Sequence, residues 1–245
     1  MWDRVDLKER AKGILKTTYW MSFLASLIFS AVCGGVGGGI NFSSGRGSSA
    51  SISDSFSGMS PSAVIAALVI VFFVMIFALV VGFAVQAFLT NPITVGHNKF
   101  YMQAAYNDVS IDNMLYAFKN SYMNIVKSMF FVSLYTALWS FLFVIPGIVK
   151  SYEYAMIPYI LAENPNIDTN RAFEISKNAT YGHKMNMFIL DLSFIGWFLL
   201  GTLCCCMGTL FVNPYFFATK TQLYFALKEN ALRSGFASEA DFMNY

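Results

Sequence analysis

Three stretches of this 245-residue chain contain no Asp, Glu, Lys or Arg: between Lys16 and Arg46, between Asp54 and Lys99, and between Asp191 and Lys220. All three are rich in Phe, Leu, Ile and Val. A helix needs about 20 apolar residues to cross a hydrocarbon core of about 30 Å, and only helices and closed barrels satisfy their backbone groups there. Each stretch is long enough for one crossing, with room for a loop or a second crossing. The pattern predicts an all-α, polytopic membrane protein.

Around these runs one unit recurs three times: a polar amphipathic helix, an apolar crossing, a tight reversal, and a second crossing that contains proline. The first copy opens with an amphipathic surface helix over 3–16, where Leu7, Ala11, Ile14 and Leu15 recur at helical spacing between charged positions and Asp3 is the N-cap. The second begins at Asp112 and the third at Asp168. Aligning Asp6, Asp112 and Asp168 brings Ala11, Ala117 and Ala172 into near register. The returns also match, as in Leu89-Thr90-Asn91-Pro92 and Phe211-Val212-Asn213-Pro214. The expected organisation is one integral membrane domain over 1–245 with about six membrane helices, at 19–40, 61–90, 126–145, 147–162, 185–203 and 207–228, arranged as three hairpins. The turns fall at Pro146-Gly147 and near Cys206-Met207-Gly208.

The first crossing is too long for a secretory signal, and Ser30-Ala31-Val32-Cys33 lacks the small residue before the cysteine that a lipoprotein signal needs, so it is read as an uncleaved span. Between its glycine-rich exit and the second crossing, nine of the twenty residues at 41–60 are Ser, which predicts a flexible external loop. The glycine cluster has no following Lys-Ser/Thr and no preceding strand, so it does not carry phosphate-loop chemistry.

Charge placement sets an orientation. Fourteen of the sixteen basic residues fall on one side of the expected topology and only Arg46 and Lys150 on the other, which puts both termini in the cytoplasm. Charged residues make up 12% of the chain and hydrophobic ones 56%, including 25 Phe, a balance that a soluble core of this length could not bury. A net charge of +2 gives no footprint for nucleic acid. Cys33 sits in an apolar run, and Cys204, Cys205 and Cys206 are consecutive. Neither disulfide nor zinc spacing is present, so no metal and no cofactor is expected.

Candidate chemistry rests on polar groups within the apolar segments, which are costly there and so are functional candidates. Lys150 and Glu153 are three apart and able to neutralise each other; Asp191 lies seven residues after Lys184. Asn91-Pro92, Ile157-Pro158 and Asn213-Pro214 interrupt helical hydrogen bonding. Pro92, Pro158 and Pro214 with Asn91 and Asn213 therefore mark either plain kinks or the broken helices that line transporter sites. The fourth crossing, 16 residues from Gly147 to Ala162, reaches only about 24 Å and is the shortest. His97 and His183 are expected near the cytoplasmic surface, and no catalytic arrangement is visible. In the third surface helix Asp168 is the N-cap, Gly182 the left-handed cap, and Ala172 and Phe173 face the membrane.

Several segments carry a resemblance. They are Leu7-Lys8-Glu9-Arg10-Ala11-Lys12, Pro146-Gly147-Ile148-Val149-Lys150-Ser151-Tyr152 with Met156, Pro158 and Tyr159, then Ala162-Glu163-Asn164-Pro165, and Gly182-His183-Lys184 leading to Leu190-Asp191-Leu192-Ser193-Phe194-Ile195-Gly196-Trp197. Together they resemble an uncharacterised family of bacterial integral membrane proteins, similar to the membrane domain of some glycerophosphodiester phosphodiesterases. The resemblance implies a bacterial cytoplasmic membrane; the family has no established catalytic or binding residue to carry over, and the phosphodiesterase activity belongs to a separate soluble barrel domain, so no enzyme is expected from it. The expected role is a non-enzymatic scaffold or accessory subunit of an export or envelope system, partnered by the lipid bilayer and by another membrane protein or a second copy. The alternative is a small-solute or peptide transporter that uses Lys150, Glu153, Asp191 and the broken helices.

Overall fold

A computed structural model describes residues 2–37, 60–203 and 208–243. The described residues form helices and no strand: α1 Arg4–Gly37, α2 Pro61–Val85, α3 Asn91–Ala104, α4 Tyr116–Lys119, α5 Tyr122–Leu142, α6 Val144–Glu153, α7 Ile157–Glu163, α8 Thr169–Thr180, α9 Lys184–Leu203 and α10 Gly208–Arg233. Short 3-10 turns cover Ile111–Leu115 and Glu239–Phe242. Among the described residues four helical runs are long and apolar enough to cross a membrane: 4–32, 62–104, 122–142 and 184–203. The Ser-rich segment, but for Ser60, and the cysteine run at 204–206 lie outside the described residues.

The first correction concerns residues 3–16. They do not form a separate helix lying on a membrane surface; they are the first turns of α1, continuous with the apolar run. Nothing between Lys16 and Trp20 stops the helix, and Thr18 Oγ1 donates back to the Ile14 carbonyl at 2.9 Å. The apolar stripe expected to face lipid is instead inside the protein, with Leu7, Ala11 and Leu15 all buried.

Packing passes from helix to helix and closes on itself. α1 lies along α3 and α10, α3 against α5 and α7, α5 against α6, α6 against α9, and α9 against α10. The buried side chains gather at the more polar ends of these helices, in clusters that include Leu7, Ile125, Ile157, Ile160, Leu161, Ile175, Met187, Leu190, Leu223 and Leu227. The other ends are bare. In α2 Ile65, Ile70, Phe73 and Phe77 are exposed, as are Phe141 to Ile145 at the α5–α6 reversal and Leu199, Leu200 and Leu203 of α9. Apolar exposure on this scale is what a surface in contact with lipid requires. Ala11, Ala117 and Ala172, the positions aligned by the sequence repeat, are each 0% exposed. A small residue is needed at all three because each lies in a helix contact.

The prolines act in three ways. Pro92 has no N–H to give the Phe88 carbonyl, and the helix widens into a π turn over Gln86–Thr90, with the Asn91 N–H bonded to Gln86 O. The orphaned Phe88 carbonyl accepts the Tyr122 hydroxyl at 2.7 Å. Pro214 lies inside the continuous α10. Pro158 stands in the first turn of α7, where a missing N–H costs nothing. The segment 147–162 is not one continuous helix: α6 ends at Glu153, a turn covers 154–156, and α7 begins at Ile157. The ten residues of α6 span about 15 Å, half a hydrocarbon core. The reversal before it occurs at Phe143, which is extended, and Pro146-Gly147 belongs to the first turn of α6.

Two glycine contacts set the helix spacing. A Cβ on Gly96 would fall 1.9 Å from the Met114 carbonyl oxygen, and Cβ atoms on Gly201 and Gly208 would each meet the other residue's backbone within 2.9 Å. Gly96→Ala is therefore expected to lower stability by about 1–3 kcal/mol. Gly13→Ala, at a helical site with nothing within 4 Å, is expected to raise it by about 0.5–1 kcal/mol. Denaturant unfolding of both variants in mild detergent checks the pair, and Gly96→Ala matching wild type would contradict the close approach.

Candidate functional site

Lys150, Glu153 and Asp191 come together along one flank of α6. Glu153 is buried and accepts from two ammonium groups, Lys150 Nζ at 2.8 Å and Lys184 Nζ at 2.6 Å. Its backbone carbonyl accepts the Ser176 hydroxyl at 2.7 Å, which ties α6 to α8. One residue before it, Tyr152 donates its hydroxyl to Asp191 Oδ2 at 2.9 Å, while Asp191 Oδ1 meets Lys220 Nζ at 2.5 Å. The strip therefore alternates charge, Lys150, Glu153, Lys184 and then Asp191, Lys220, and joins α6, α9 and α10. Removing either carboxylate would strand ammonium groups against apolar neighbours. The lysines also lie against rings: Lys150 is 5.7 Å from the Trp139 ring, and Lys220 is 5.5 Å from that of Phe216.

Asn91 and Asn213 stand apart from that strip and from each other. The Asn91 amide reaches Ser133 Oγ of α5 at 3.5 Å, and the Asn213 amide reaches Ser30 Oγ of α1 at 3.5 Å. Each of these proline-bearing helices is thus tied by its asparagine to a neighbouring long helix. Clefts of about 390 Å³ (between α5 and the start of α8), 320 Å³ (between the start of α1 and the end of α10) and 400 Å³ (between α1, the end of α3 and α10) have none of Lys150, Glu153, Asp191, Asn91 or Asn213 in their walls.

His97 is a functional candidate that the sequence reading misplaced. It is not at a surface but 0% exposed, with its ring 4.1 Å from Phe29, 4.5 Å from Phe217 and 5.0 Å from Tyr101. Among the described residues neither ring nitrogen has a hydrogen-bond partner. Beside it Tyr101 donates to the Ser22 carbonyl at 3.0 Å and shares a 2.7 Å bond with Ser26. His97 lies six residues past Asn91 in the same polar helix start, and that proximity is the only sequence signal for its burial.

A third group lies at the polar end. Glu163 takes Lys228 Nζ at 2.6 Å and the Tyr224 hydroxyl at 2.9 Å. The segment after α10 folds back over α7 and α8. Arg171 donates from Nε and Nη2 to the Asp241 carboxylate at 3.1 and 3.0 Å, and from Nη2 to the Phe236 carbonyl. Asn164 reaches Asp241 O, and Phe242 is buried under Lys228. In α8 itself Asp168 caps as expected, accepting from the Asn170 and Arg171 amides, and Gly182 has φ 76°. Ala172, however, faces the core and not lipid. The Arg171 guanidinium holds Asp241 down at about 2, the largest of the causes, while Asp241 with Glu174 pushes Arg171 further up.

A family model described as "Protein of unknown function (DUF975)" matches residues 107–231. The match runs from before α4 to near the end of α10 and contains Lys150, Glu153, Lys184, Asp191 and Lys220, together with Arg171. It leaves out α1, α2, α3 and Asp241. No curated protein and no solved structure matches the chain.

Two outcomes follow from this geometry. Glu153→Gln leaves Lys150 and Lys184 without a counter-charge and is expected to destabilise the fold by about 3 kcal/mol, more than Asp191→Asn, which strands one lysine; equal unfolding midpoints for the three proteins would contradict it. Because the folded Asp241 carboxyl titrates lower than in the unfolded chain, its contribution is full above about pH 4 and is lost as pH falls through about 2. Pepsin cleavage within 234–243 is expected to be faster in Asp241→Asn than in wild type at pH 4, with the two rates converging at pH 2. A ratio independent of pH would refute the assignment.

Proposed function

The chain belongs to the DUF975 family of proteins of unknown function, and from that premise we propose that it is a non-enzymatic integral membrane protein, a scaffold or accessory subunit of an export or envelope system. The placement proposed with it is the bacterial cytoplasmic membrane, with three hairpins, about six passages and both ends in the cytoplasm. The middle hairpin, α5 with α6, is the shallow one. The positive bias of the basic residues supports the orientation, and the closed order of helix contacts supports the hairpins.

One observation carries the functional reading. Each polar side chain that the sequence singled out in an apolar segment meets another side chain, Lys150 meeting Glu153, Glu153 also meeting Lys184, Asp191 meeting Lys220 and Tyr152, and Asn91 and Asn213 each meeting a serine of another helix. Groups so spent hold helices together, whereas a substrate path needs polar groups free to face a cavity. The transporter alternative draws on His97, which lies on α3 just past the Pro92 π turn and whose ring nitrogens have no hydrogen-bond partner among the described residues.

Purification from native membranes in mild detergent tests the reading: a second membrane component is expected to accompany the protein at fixed stoichiometry. A lone monodisperse species would count against it. Asp191→Asn that abolished a transport phenotype at unchanged protein level would favour the transporter; parallel loss of protein would favour the structural role.

A further inference from the structure

At every fourth position from 4 to 20 the first helix carries Arg4, Lys8, Lys12, Lys16 and Trp20. Steps of four rise about 6 Å each and place neighbours side by side, so the four cations repel one another. Among the described residues none of the four has an acidic partner, although Arg10 on the same helix pairs with Asp6 at 2.8 Å. Two of them converge. Lys8 Nζ donates to Ser193 Oγ at 2.8 Å and stands 4.6 Å from the Phe194 ring, and Lys12 Nζ stands 5.8 Å from the Tyr215 ring. The Phe194 and Tyr215 rings are themselves in contact, 5.2 Å apart. Two ammonium groups thus meet over one aromatic pair with no acidic side chain between them. The nearest carboxylate on this part of α9, Asp191, is taken by Lys220 and Tyr152.

The apolar residues farther along the same face of α1 are as telling. One turn before Tyr215 on α10 is Phe211, exposed and stacked on Phe23 of α1 at 5.0 Å, and Phe23 in turn touches the exposed Trp20. The face where α1 meets α9 and α10 therefore carries paired cations and, farther along α1, an aromatic strip that includes the exposed Trp20 and Phe211. We propose that Lys8 and Lys12 bind the phosphate of an anionic phospholipid, whose acyl chain lies along Phe23 and Phe211. A soluble phosphate would satisfy the cations but would leave the strip without an occupant. The inference rests on the membrane placement proposed above, and it makes a basic ladder along α1, not a helix lying flat, the means of reading lipid charge.

Native mass spectrometry of the full chain in mild detergent, titrated with phosphatidylglycerol, phosphatidylcholine or inorganic phosphate, tests it. One tightly held phosphatidylglycerol is expected, with phosphatidylcholine weaker. Lys8→Gln/Lys12→Gln should weaken phosphatidylglycerol about tenfold or more; Lys8→Arg/Lys12→Arg should restore it, and Lys177→Gln should change nothing. Should the double variant misfold, Lys12→Gln alone, at an exposed residue, should still weaken binding. Equal binding of the two lipids, no effect of Lys12→Gln, or inorganic phosphate displacing the lipid at equal concentration would overturn the proposal. Failure of co-purification would end the scaffold role and leave this titration untouched.

Discussion

Glu153 sits between Lys150 and Lys184, and the arrangement of the helices depends on keeping that carboxylate charged and paired. It stands at the last residue of α6, where the chain turns from an exposed apolar hairpin into the buried polar end. Lys184 opens α9, so the pair pins the start of one long helix to the end of a short one. Ser176 fastens the same residue to α8 through its backbone. A buried ion pair adds little net stability over a well-packed apolar substitute, but a broken one is severely destabilising. Such a group specifies one helix arrangement against alternatives that would separate the charges.

The same constraint recurs at two further levels. Asp191 with Lys220 and Tyr152 closes the space between α6, α9 and α10, and Glu163 with Lys228 and Tyr224 closes that between α7 and α10. Between these ties the helices meet through small residues: Ala11, Ala117 and Ala172 in the core, and Gly201 with Gly208 where α9 and α10 approach. Without a hydrophobic drive between helices in lipid, close packing and polar ties are the forces available. Burial is concentrated at the polar ends, so the molecule combines a water-type core with an apolar collar.

The all-helical class and the apolar runs were legible because a membrane imposes length and composition directly on sequence. Local pairs such as Lys150 with Glu153, and local caps such as Asp168 and Gly182, were legible for a different reason: their partners lie within one turn. What the sequence hid were partners far apart in it. Arg171 and Asp241 are 70 residues apart, and Lys184 could not be matched to Glu153 by spacing. The amphipathic face of α1 read as lipid-facing because a stripe of Leu7, Ala11 and Leu15 fits a protein core as well as a bilayer surface. His97 read as superficial because nothing in its neighbours shows that Phe29 and Phe217 close over it.

Labelling with a hydrophobic carbodiimide in intact membranes at pH 7 tests most directly whether the carboxylates are structural ties, because the reagent attacks protonated carboxyls accessible from the lipid. The account predicts that Glu153 and Asp191, each held by a lysine, remain unmodified by intact-mass and peptide analysis. Stoichiometric modification of either one would contradict it.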